Sequence, residues 1–578
     1  QFQVSQVWQA IDTLSLLQGN HSYQFGYEFH DATDNFLDIR NLQGNVGASG
    51  IYTNVNGFGV ADFLLGDAST AAFTTPLVAH NYHPGHAFFA QDSWRVAPHL
   101  TVNYGLRYEL FAPTLSHDNT IANFTAAGGG AIVPVPANAS GWFQRSTIHP
   151  DRNDLAPRLG FSYQMSDHLV WRGGYGVFYQ HLDRIGSESM LDLNPPFVID
   201  GSLNQGPGST TPVFQLKNGF PGDQFTPALV NLTKLQIRAQ DPNQRTSYVE
   251  QASFGPELQL GNSMVLDVVA VGNWGRKMQR LRNGNQGIVS GRDAAGNPIV
   301  SFPYANLNTV QQSAKGAGQH AFLELATHDG NTNYNALEVI FSRRLTHELG
   351  LNANYTWSHN LADFVDQLSG GSTPANAYQY GLEKSNSIFD VRHRVVGNVT
   401  WMLPFGPGGA FLKEGAAGRW LGGWQANAIL TLQTGVPFSI GAPDTSFTGP
   451  AHSSRPNCIG DPFAGASTNP SAYLPGGGGF YINPKSFALP AGGQFGTCAP
   501  RNVHGPGFEN LDLSLFKGFQ LSESKSIQLR GEFFNALNHP NFGNPSAFFS
   551  PSSLGSFGVV SNTVGDPREV QLAVKFYF

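Results

Sequence analysis

Charged residues are scarce in this sequence: Asp, Glu, Lys and Arg together make up 13% of its 578 residues, against about 25% in a typical soluble protein. The sequence also contains no run of eighteen apolar residues, which excludes membrane-spanning helices. Its formal net charge of −7 is modest and gives no reason to expect a nucleic acid as partner. A helical membrane protein is therefore excluded, nucleic-acid binding is not indicated, and the surface has too little charge for an ordinary soluble domain.

Cysteine is nearly absent, because the chain contains only Cys458 and Cys498. Both lie in Gly- and Pro-rich sequence that is typical of loops. In an oxidising compartment this pair favours one disulfide that staples a loop, and two free thiols are the alternative. Metal binding by the two thiols is disfavoured, because they are far apart and neither belongs to a CxxC motif.

Aromatic residues are frequent, at 12% of the chain, and 67 residues are glycine. Low charge, many aromatics and no apolar helix are typical of a membrane β-barrel, in which lipid-facing residues alternate with polar lumen-facing ones. The last strand shows this alternation, because one face carries Val570, Leu572, Val574, Phe576 and Phe578. A final strand that ends on an aromatic residue resembles the end of a bacterial outer-membrane barrel, where Phe576 and Phe578 would form the assembly signal. A soluble sheet protein that ends in a strand is the alternative.

Alternation of this kind recurs about fifteen times, over segments of roughly ten residues, which is the length that a tilted membrane strand requires. The predicted fold class is therefore all-β, a transmembrane antiparallel β-barrel. The predicted strands lie near residues 5–17, 21–31, 85–97, 99–112, 155–166, 169–182, 244–259, 263–275, 332–346, 349–362, 391–403, 421–435, 506–519, 525–537 and 567–578.

The predicted connections alternate in length, as short periplasmic turns and long extracellular loops do in outer-membrane barrels. A soluble sandwich or propeller has no reason to sort its loops in this way. The 404–420 connection is an exception, a longer turn where a tight one is expected, and segment 70–80 has the pattern of a strand inside the first long loop. Tight turns are predicted at 18–20, 98–99, 166–168, 261–262, 346–348 and 521–524, and long loops at 32–84, 113–154, 183–243, 276–331, 363–390, 436–505 and 538–566.

Strand direction predicts that part of the barrel is missing. The last strand should run towards the periplasm, and by alternation the first of about fifteen strands does the same. A closed single-chain barrel has an even number of strands with both ends periplasmic. The sequence also starts at Gln1 without an initiator methionine or a targeting segment. We therefore expect a processed chain or a piece of a longer protein, and interpret it as an N-terminally truncated barrel.

Six motifs follow one another along the chain, and their order and spacing are specific. They resemble the barrel of TonB-dependent outer-membrane receptors, and are most similar to the Oar-like group, the carboxypeptidase-regulatory-like TonB-dependent proteins. The resemblance covers nearly the whole chain. The motifs are FFAQDSWRVAPHLTVNYGLRYEL (88–110), NYNALEVIFSRR (333–344), NYTWSHNLAD (354–363), FDVRHRVVGNVTW (389–401), RNVHGPGFENLDLSLFKGF (501–519) and LRGEFFNALNHPNFGNP (529–545).

This resemblance implies a protein of the Gram-negative outer membrane. It implies a 22-stranded barrel that is filled by an N-terminal plug and preceded by a TonB box and a small β-sandwich domain. The sequence contains no plug, TonB box or sandwich, so residues 1–578 are interpreted as the barrel domain alone, with Gln1 near the eighth strand. The implied partners are outer-membrane lipid, the barrel-assembly machinery through the C-terminal strand, the TonB complex through the missing N-terminal region, and an unknown extracellular ligand.

Three histidines, His80, His83 and His86, recur at intervals of three near the predicted extracellular mouth. Three imidazoles are a ligand set for Zn²⁺ or a metal chelate. The Pro and Gly between them argue against a helix that would bring the rings together. A polar loop is the default interpretation, and a metal site is the weaker alternative.

Several charged residues occupy the polar positions of predicted strands, where they should face the lumen. Arginines at such positions pair with carboxylates across strands, and for Arg392 and Arg394 the expected partners are Glu338 or Asp390. Substrate contact is the alternative to such a structural ladder. The predicted lumen-facing set is Arg107, Glu109, Arg158, Arg172, Arg392, Arg394, Arg530 and Glu532.

No Ser-His-Asp or Cys-His arrangement has supporting local sequence, so neither catalytic residues nor a cofactor are predicted. The glycine runs 128–130 and 476–479 lack the lysine of a phosphate-binding loop and are interpreted as flexible loop. Aromatic residues near strand ends favour interfacial girdles. In a long loop, Phe214, Phe220 and Phe225 are candidates for gripping a carbohydrate or peptide.

The predicted function is TonB-dependent transport of a large solute across the outer membrane, with this chain as the barrel part. The transport mechanism rests on the resemblance alone, because the sequence contains none of the energy-coupling parts. The alternatives are a surface-anchored structural or adhesion protein and a passive pore. An enzyme is disfavoured because no catalytic constellation supports it.

Overall fold

The computed structural model describes most of the chain, including all of the predicted strands apart from a few terminal residues. The described residues are 2–37, 43–53, 58–180, 191–205, 210–219, 237–304, 323–346, 348–364, 373–406, 409–449, 452–467 and 469–578.

Fifteen long strands form one curved antiparallel wall, and each of them coincides with a strand predicted from sequence alternation. Two further two-residue strands, Leu115–Ser116 and Ser385–Asn386, pair with this sheet at residues 81–82 and 361–362. The wall strands are β1 (Phe2–Gln18), β2 (His21–Leu37), β3 (Ala79–Ala97), β4 (Leu100–Phe111), β5 (Asp154–Ser166), β6 (Leu169–Gln180), β7 (Ser247–Leu260), β8 (Met264–Arg276), β9 (Thr332–Thr346), β10 (Leu349–Ala362), β11 (His393–Met402), β12 (Trp424–Gln433), β13 (Phe508–Gln520), β14 (Ser526–Phe534) and β15 (Glu569–Tyr577).

Every wall strand pairs with its neighbour in the chain, so the wall is a continuous meander from β1 to β15. Seven connections at one end are short, except for residues 403–423 between β11 and β12, and the seven at the other end are long. This alternation confirms the predicted arrangement of turns and loops. Within the described part of the chain, β1 pairs only with β2 and β15 only with β14.

Strands β2 and β3 are longer than predicted, and the first long loop is correspondingly shorter. The pairs Ala32–His83, Asp34–Asn81 and Phe36–Ala79 continue the ladder beyond the predicted strand ends. Sequence alternation missed this extension because both faces carry polar residues there, as expected once a strand has left the apolar layer. The segment near 70–80 contains Thr70–Thr74, which belongs to a small separate sheet rather than to the wall.

The long connections carry short strands and helices of their own. None of the helices in the described part of the chain has the length and apolar character needed to cross a membrane. The helices are α1 (Val60–Leu65), α2 (Gly141–Ser146), α3 (Gly415–Leu421) and α4 (Pro470–Tyr473), with 3-10 turns at Ala127–Gly129, Leu191–Leu193, Leu216–Asn218 and Pro484–Ser486. The remaining short strands are Asn45–Gly47, Asp67–Ala68, Thr70–Thr74, Ala122–Thr125, Ala131–Pro134, Asp200–Asn204, Phe214–Gln215, Ile237–Gln240, Met278–Asn283, Ile288–Arg292, Pro298–Ser301, Leu323–Gly330, Pro437–Phe438, Asn457–Cys458, Phe487–Ala488 and Val503–His504.

The apolar cores of the molecule lie in these long connections rather than inside the wall. We call the described residues of the seven long connections the cap. Its largest core cluster is formed by Ile440, Ile482, Phe487, Cys498, Val503, Phe549 and Phe557. A second cluster joins the cap to the wall, because Leu193 and Val198 pack against Phe36 of β2 and Ala79 of β3.

Candidate functional site

The two faces of the wall differ in chemistry. Cross-strand neighbours Tyr27, Phe88 and Tyr108 lie on one face, and Tyr27 and Phe88 expose 37% and 52% of their surface. The opposite face of the same strands carries Glu28 and Arg107. An apolar outer face and a polar inner face are the arrangement of a barrel that stands in a membrane.

An ion-pair cluster lies on the inner face of β2 and β4. Arg107 Nη2 donates to Glu28 Oε2 over 2.7 Å, and Arg107 Nε donates to Glu109 Oε1 over 2.5 Å. Gln9 Nε2 of β1 donates to the other oxygen of Glu28 over 2.7 Å. Arg107 and Glu109 therefore form an ion pair along β4, and Glu28 extends it across the wall to β2.

The next two arginines of the inner face are held differently. The Arg158 guanidinium lies 4.8 Å from the ring centre of Phe178, a cation–π contact. Arg172 Nη1 lies 2.9 Å from Glu257 Oε2, but the arginine side chain is 62% exposed. Such an exposed pair contributes little to stability, so Arg172 remains available to a solute in the lumen.

The inner face also forms a polar cleft of about 490 Å³ near these residues. Its lining includes Gln24, Gln91, Asn103 and Arg158, which come from four neighbouring strands. Three side-chain amides and the Arg158 guanidinium thus offer hydrogen bonds to a polar solute in this cleft.

Arg392 lies one residue before β11, which begins at His393, and its carbonyl accepts from the Ser358 N–H of β10 over 3.0 Å. Arg392 Nη2 lies 3.4 Å from Asp390 Oδ2, one of the two expected partners. Asp390 is fully buried and also accepts a 2.7 Å hydrogen bond from the backbone N–H of Asn360. Arg394 lies within β11, opposite Gln433, with an exposed side chain.

The last two predicted charges lie on β14. The Arg530 guanidinium lies 4.6 Å from the ring centre of Phe516, and its Nε donates to Gln528 Oε1 over 2.7 Å. Glu532 lies in register with Ser514 on β13. Phe576 of β15 stacks with Phe578, the residue after the strand, with ring centres 5.8 Å apart, and Phe578 is 91% exposed.

The three histidines lie on strand β3, so the prediction of a polar loop is wrong. His80 Nδ1 lies 2.6 Å from Asp118 Oδ2, His83 Nε2 lies 2.9 Å from Thr114 Oγ1, and His86 Nδ1 lies 2.8 Å from the Tyr27 hydroxyl. Strand geometry places His83 on the face opposite to the other two. Across the described ranges, no three His, Cys, Asp or Glu side chains are grouped as metal ligands would be.

The cap is fastened by a disulfide between Cys458 and Cys498, 40 residues apart. Next to it, Arg455 Nη1 and Nη2 donate to the two oxygens of Glu383 over 3.0 and 2.6 Å, and both side chains are buried. Arg501 is also buried and donates to the backbone carbonyl of Asn386 and the hydroxyl of Ser385. Burial lowers the pKa of the Arg501 guanidinium to about 10. These contacts join the segments near 383–386 and 455–501 into one folded layer.

A buried carboxyl group joins three other segments of the cap to the wall. Asp192 accepts hydrogen bonds of 2.9 Å from Asn81 Nδ2 of β3 and from Thr120 Oγ1. Burial raises the pKa of Asp192 to about 6. Its neighbour Asn194 is equally buried and donates to the carbonyl oxygens of Ala122 and Arg238. The cap is therefore cross-connected through polar side chains as well as apolar clusters.

Phe214, Phe220 and Phe225 are the loop aromatics that the sequence indicates as candidate ligand contacts. Phe220 and Phe225 lie outside the described residues. Phe214 lies in a two-residue strand paired with Asp67–Ala68.

Two charged residues on the apolar outer face were missed by the sequence analysis. Asp92 of β3 is in register with Tyr104, is 4% exposed, and accepts from the Tyr104 hydroxyl over 2.8 Å. Its second partner is His21 Nδ1 at 2.7 Å. Lys517 of β13, 3% exposed, lies between the outward-facing Leu515 and Phe519. Strict alternation within each strand would have placed both residues on the outer face.

A family model described as "Outer membrane beta barrel domain" matches residues 1–571. The chain belongs to this family. Membership confirms the predicted fold class and places the protein in the outer membrane of a Gram-negative bacterium, in a family of barrels rather than of enzymes. In such barrels the short turns are periplasmic and the long connections extracellular, so the cap lies outside the cell.

Similar solved structures include the outer-membrane transporter YddB from Escherichia coli, at 11% identity and a TM-score of 0.48, which covers 99% of this chain and 55% of YddB. The siderophore receptor PiuA from Acinetobacter baumannii has 9% identity, a TM-score of 0.44, and coverage of 100% and 56%. The ferripyoverdine receptor of Pseudomonas aeruginosa has 9% identity, a TM-score of 0.45, and coverage of 100% and 48%. The chain thus spans about half the length of these proteins. No curated protein sequence matches it.

Proposed function

We propose that this chain is the barrel part of a TonB-dependent outer-membrane transporter that moves a large solute across the outer membrane. The observation that carries the proposal is the contrast between the two faces of the wall. The outer face is apolar and aromatic, whereas the inner face carries the Arg107 cluster, the exposed Arg172 and the amide-lined cleft. A polar inner surface behind an apolar outer one provides a path for a polar solute.

The cap supports a role in solute recognition. Its long connections are folded against one another by buried ion pairs, a disulfide and apolar clusters. A surface held in this way presents fixed loops to the outside, and fixed loops bind a solute with a smaller loss of conformational entropy than flexible ones. Coupling to TonB is supported by the sequence motifs alone.

We propose further, as the resemblance implies, that additional strands complete the barrel. In the described part of the chain, β1 and β15 each pair on one side only. In hydrocarbon an unpaired backbone N–H or C=O costs several kcal/mol, so both edges require a partner strand. The intact mass and N-terminal sequence of the protein extracted from outer membranes test this. A mass well above 62.4 kDa is expected, and a mature protein that begins at Gln1 would contradict the proposal.

Solute depletion from the growth medium tests the transport function even though the substrate is unidentified. Three strains are compared: the parent, a strain lacking this gene, and a strain with an inactive TonB complex. We expect at least one large solute to disappear only from the medium of the parent. Depletion that persists without TonB would indicate a passive pore and contradict energy coupling.

A surface-anchored structural protein is the second candidate, and the extent of the cap favours it. The connection between β12 and β13 alone holds the disulfide and much of the largest core cluster. A loop that only opens and closes the lumen does not need so much folded structure. For this function, the three strains should leave identical media, and loss of the gene should instead change adhesion of the cells.

A further inference from the structure

The connection between β11 and β12 is the long exception at the short-turn end of the wall. We call its described residues, 403–406 and 409–423, the α3 turn, because it contains helix α3. Its first residue continues the ladder, since the Leu403 N–H donates to the carbonyl of Trp424, the first residue of β12, over 2.8 Å. Inside it, the N–H groups of Gly406 and Phe411 donate over 2.9 Å to the carbonyls of Phe411 and Pro404.

The α3 turn folds around backbone contacts rather than around side chains. A Cβ atom placed on Gly406 would lie 2.4 Å from the Cα of Gly422, and one placed on Gly418 would lie 2.4 Å from the carbonyl oxygen of Leu412. Gly406 also has a φ of +90°, which favours glycine. Such close backbone approach leaves little room for large side chains between these segments of the turn.

Five of the exposed side chains of the turn are large and apolar. Exposure is 60% for Phe411, 47% for Leu412, 69% for Trp420 and 50% for Leu421, and Phe405 is 36% exposed. Apolar area left in water costs roughly 25 cal/mol per Å² relative to burial. Concentrated in one short turn, such side chains mark a surface that is covered by something other than water.

The α3 turn is attached to the outer, lipid-facing side of the wall. Lys517 points outward from β13, and its Nζ donates to the carbonyl oxygens of Arg419, over 2.9 Å, and Gly422 at the end of α3. The Trp420 ring meets the outward-facing Phe519 edge-on, with ring centres 6.1 Å apart. Trp424 Nε1 donates to the Trp420 carbonyl over 3.0 Å. The apolar surface of the turn is therefore continuous with the apolar outer face of the wall.

We propose that the α3 turn lies in the periplasmic leaflet of the outer membrane, as an interfacial anchor of this part of the barrel. Phe411, Trp420 and Leu421 enter the boundary between headgroups and acyl chains, where amphipathic helices rich in aromatics settle. The exposed Lys413 and Arg419 then meet anionic phospholipid headgroups, for which basic residues next to a membrane have an affinity. This inference depends on the fold and its orientation, and not on the proposed transport.

Site-directed fluorescence in vesicles tests the proposal. The full-length protein carries Phe411→Cys or, in a second variant, Leu421→Cys, labelled with NBD, because the two native cysteines are joined in a disulfide. The vesicles contain phosphatidylethanolamine, phosphatidylglycerol and a lipid with a nitroxide at the level of the glycerol backbone. The matched control is Ser524→Cys, which lies in the exposed β13–β14 turn at the same end of the wall.

We expect blue-shifted NBD emission and at least about twofold stronger nitroxide quenching at both α3-turn positions than at the control position. Quenching no stronger than that of the control would overturn the proposal. A blue shift without lipid quenching would overturn it as well, because it would show that protein covers the turn. The two variants guard against a local effect, since Phe411 precedes helix α3 and Leu421 lies at its end.

Discussion

Removal of Arg455 should destabilise the cap far more than its position in a loop suggests. Its guanidinium makes two hydrogen bonds, of 2.6 and 3.0 Å, to Glu383, and Glu383 Oε1 also accepts from the Ala375 N–H over 3.0 Å. The exposed fractions of the Arg455 and Glu383 side chains are 2% and 9%. Arg455→Met therefore leaves a buried carboxylate without its cation, which costs about 3–5 kcal/mol in such settings.

Hydrogen exchange of the purified full-length protein in detergent measures this effect locally. Because each 1.4 kcal/mol corresponds to about a tenfold change, amides of the segment near 437–505 should exchange roughly a hundredfold to several thousandfold faster in the variant. The control is Lys485→Met, which removes an exposed cation from the same segment and should change exchange rates little. The double variant Glu383→Leu with Arg455→Met should recover part of the lost protection, because neither charge of this pair is then left without the other. Unchanged exchange in Arg455→Met, or a double variant as unstable as the sum of both single ones, would refute the reasoning.

Three further predictions concern the cap and the end of the chain. Thiol labelling without reductant should leave Cys458 and Cys498 unmodified, and Cys498→Ser should lower cap stability by about 2–5 kcal/mol; ready labelling would show that the bond is absent. Because burial raises the pKa of Asp192 to about 6, the folded cap holds this proton more tightly than the unfolded chain, so cap stability should fall as pH rises from about 4 to about 6, by roughly 3 kcal/mol. Asp192→Asn should abolish that slope in hydrogen-exchange measurements, and a slope equal to that of the wild type would contradict the assignment. Deletion of Phe578 should reduce the amount of protein in isolated outer membranes, whereas wild-type levels would remove the significance of the terminal aromatic.

The wall was predictable from sequence because its information is local. In strands such as β4 and β15, most residues show by their polarity which of two faces they occupy, and one alternation rule suffices. The rule fails where the environment changes along a strand, as in β2 beyond Asp31, where both faces are polar. The rule also did not single out Lys517. One charged residue on an otherwise apolar face gives no sign in the sequence of the group that it contacts, here the carbonyl oxygens of the α3 turn.

The cap was not predictable in the same way, because its contacts are distant in sequence. Arg455 and Glu383 are 72 residues apart, and Arg501 and Asn386 are 115 apart. Neither Gly- and Pro-rich composition nor periodicity indicates such pairs. Only the proximity of the two cysteines was foreseeable, because two thiols in an oxidising compartment have one possible partner each.

Labelling of intact cells tests the central claim, an outer-membrane barrel with its cap outside the cell, most directly. Two variants with one added cysteine each are required: Ala295→Cys in the exposed Asp293–Asn297 turn of the cap, and Ser524→Cys in the β13–β14 turn. With a membrane-impermeant maleimide, Ala295→Cys should be modified in intact cells, and Ser524→Cys only after the outer membrane has been permeabilised. The reverse pattern would contradict the orientation of the barrel, and equal labelling of both variants would contradict its insertion in the outer membrane.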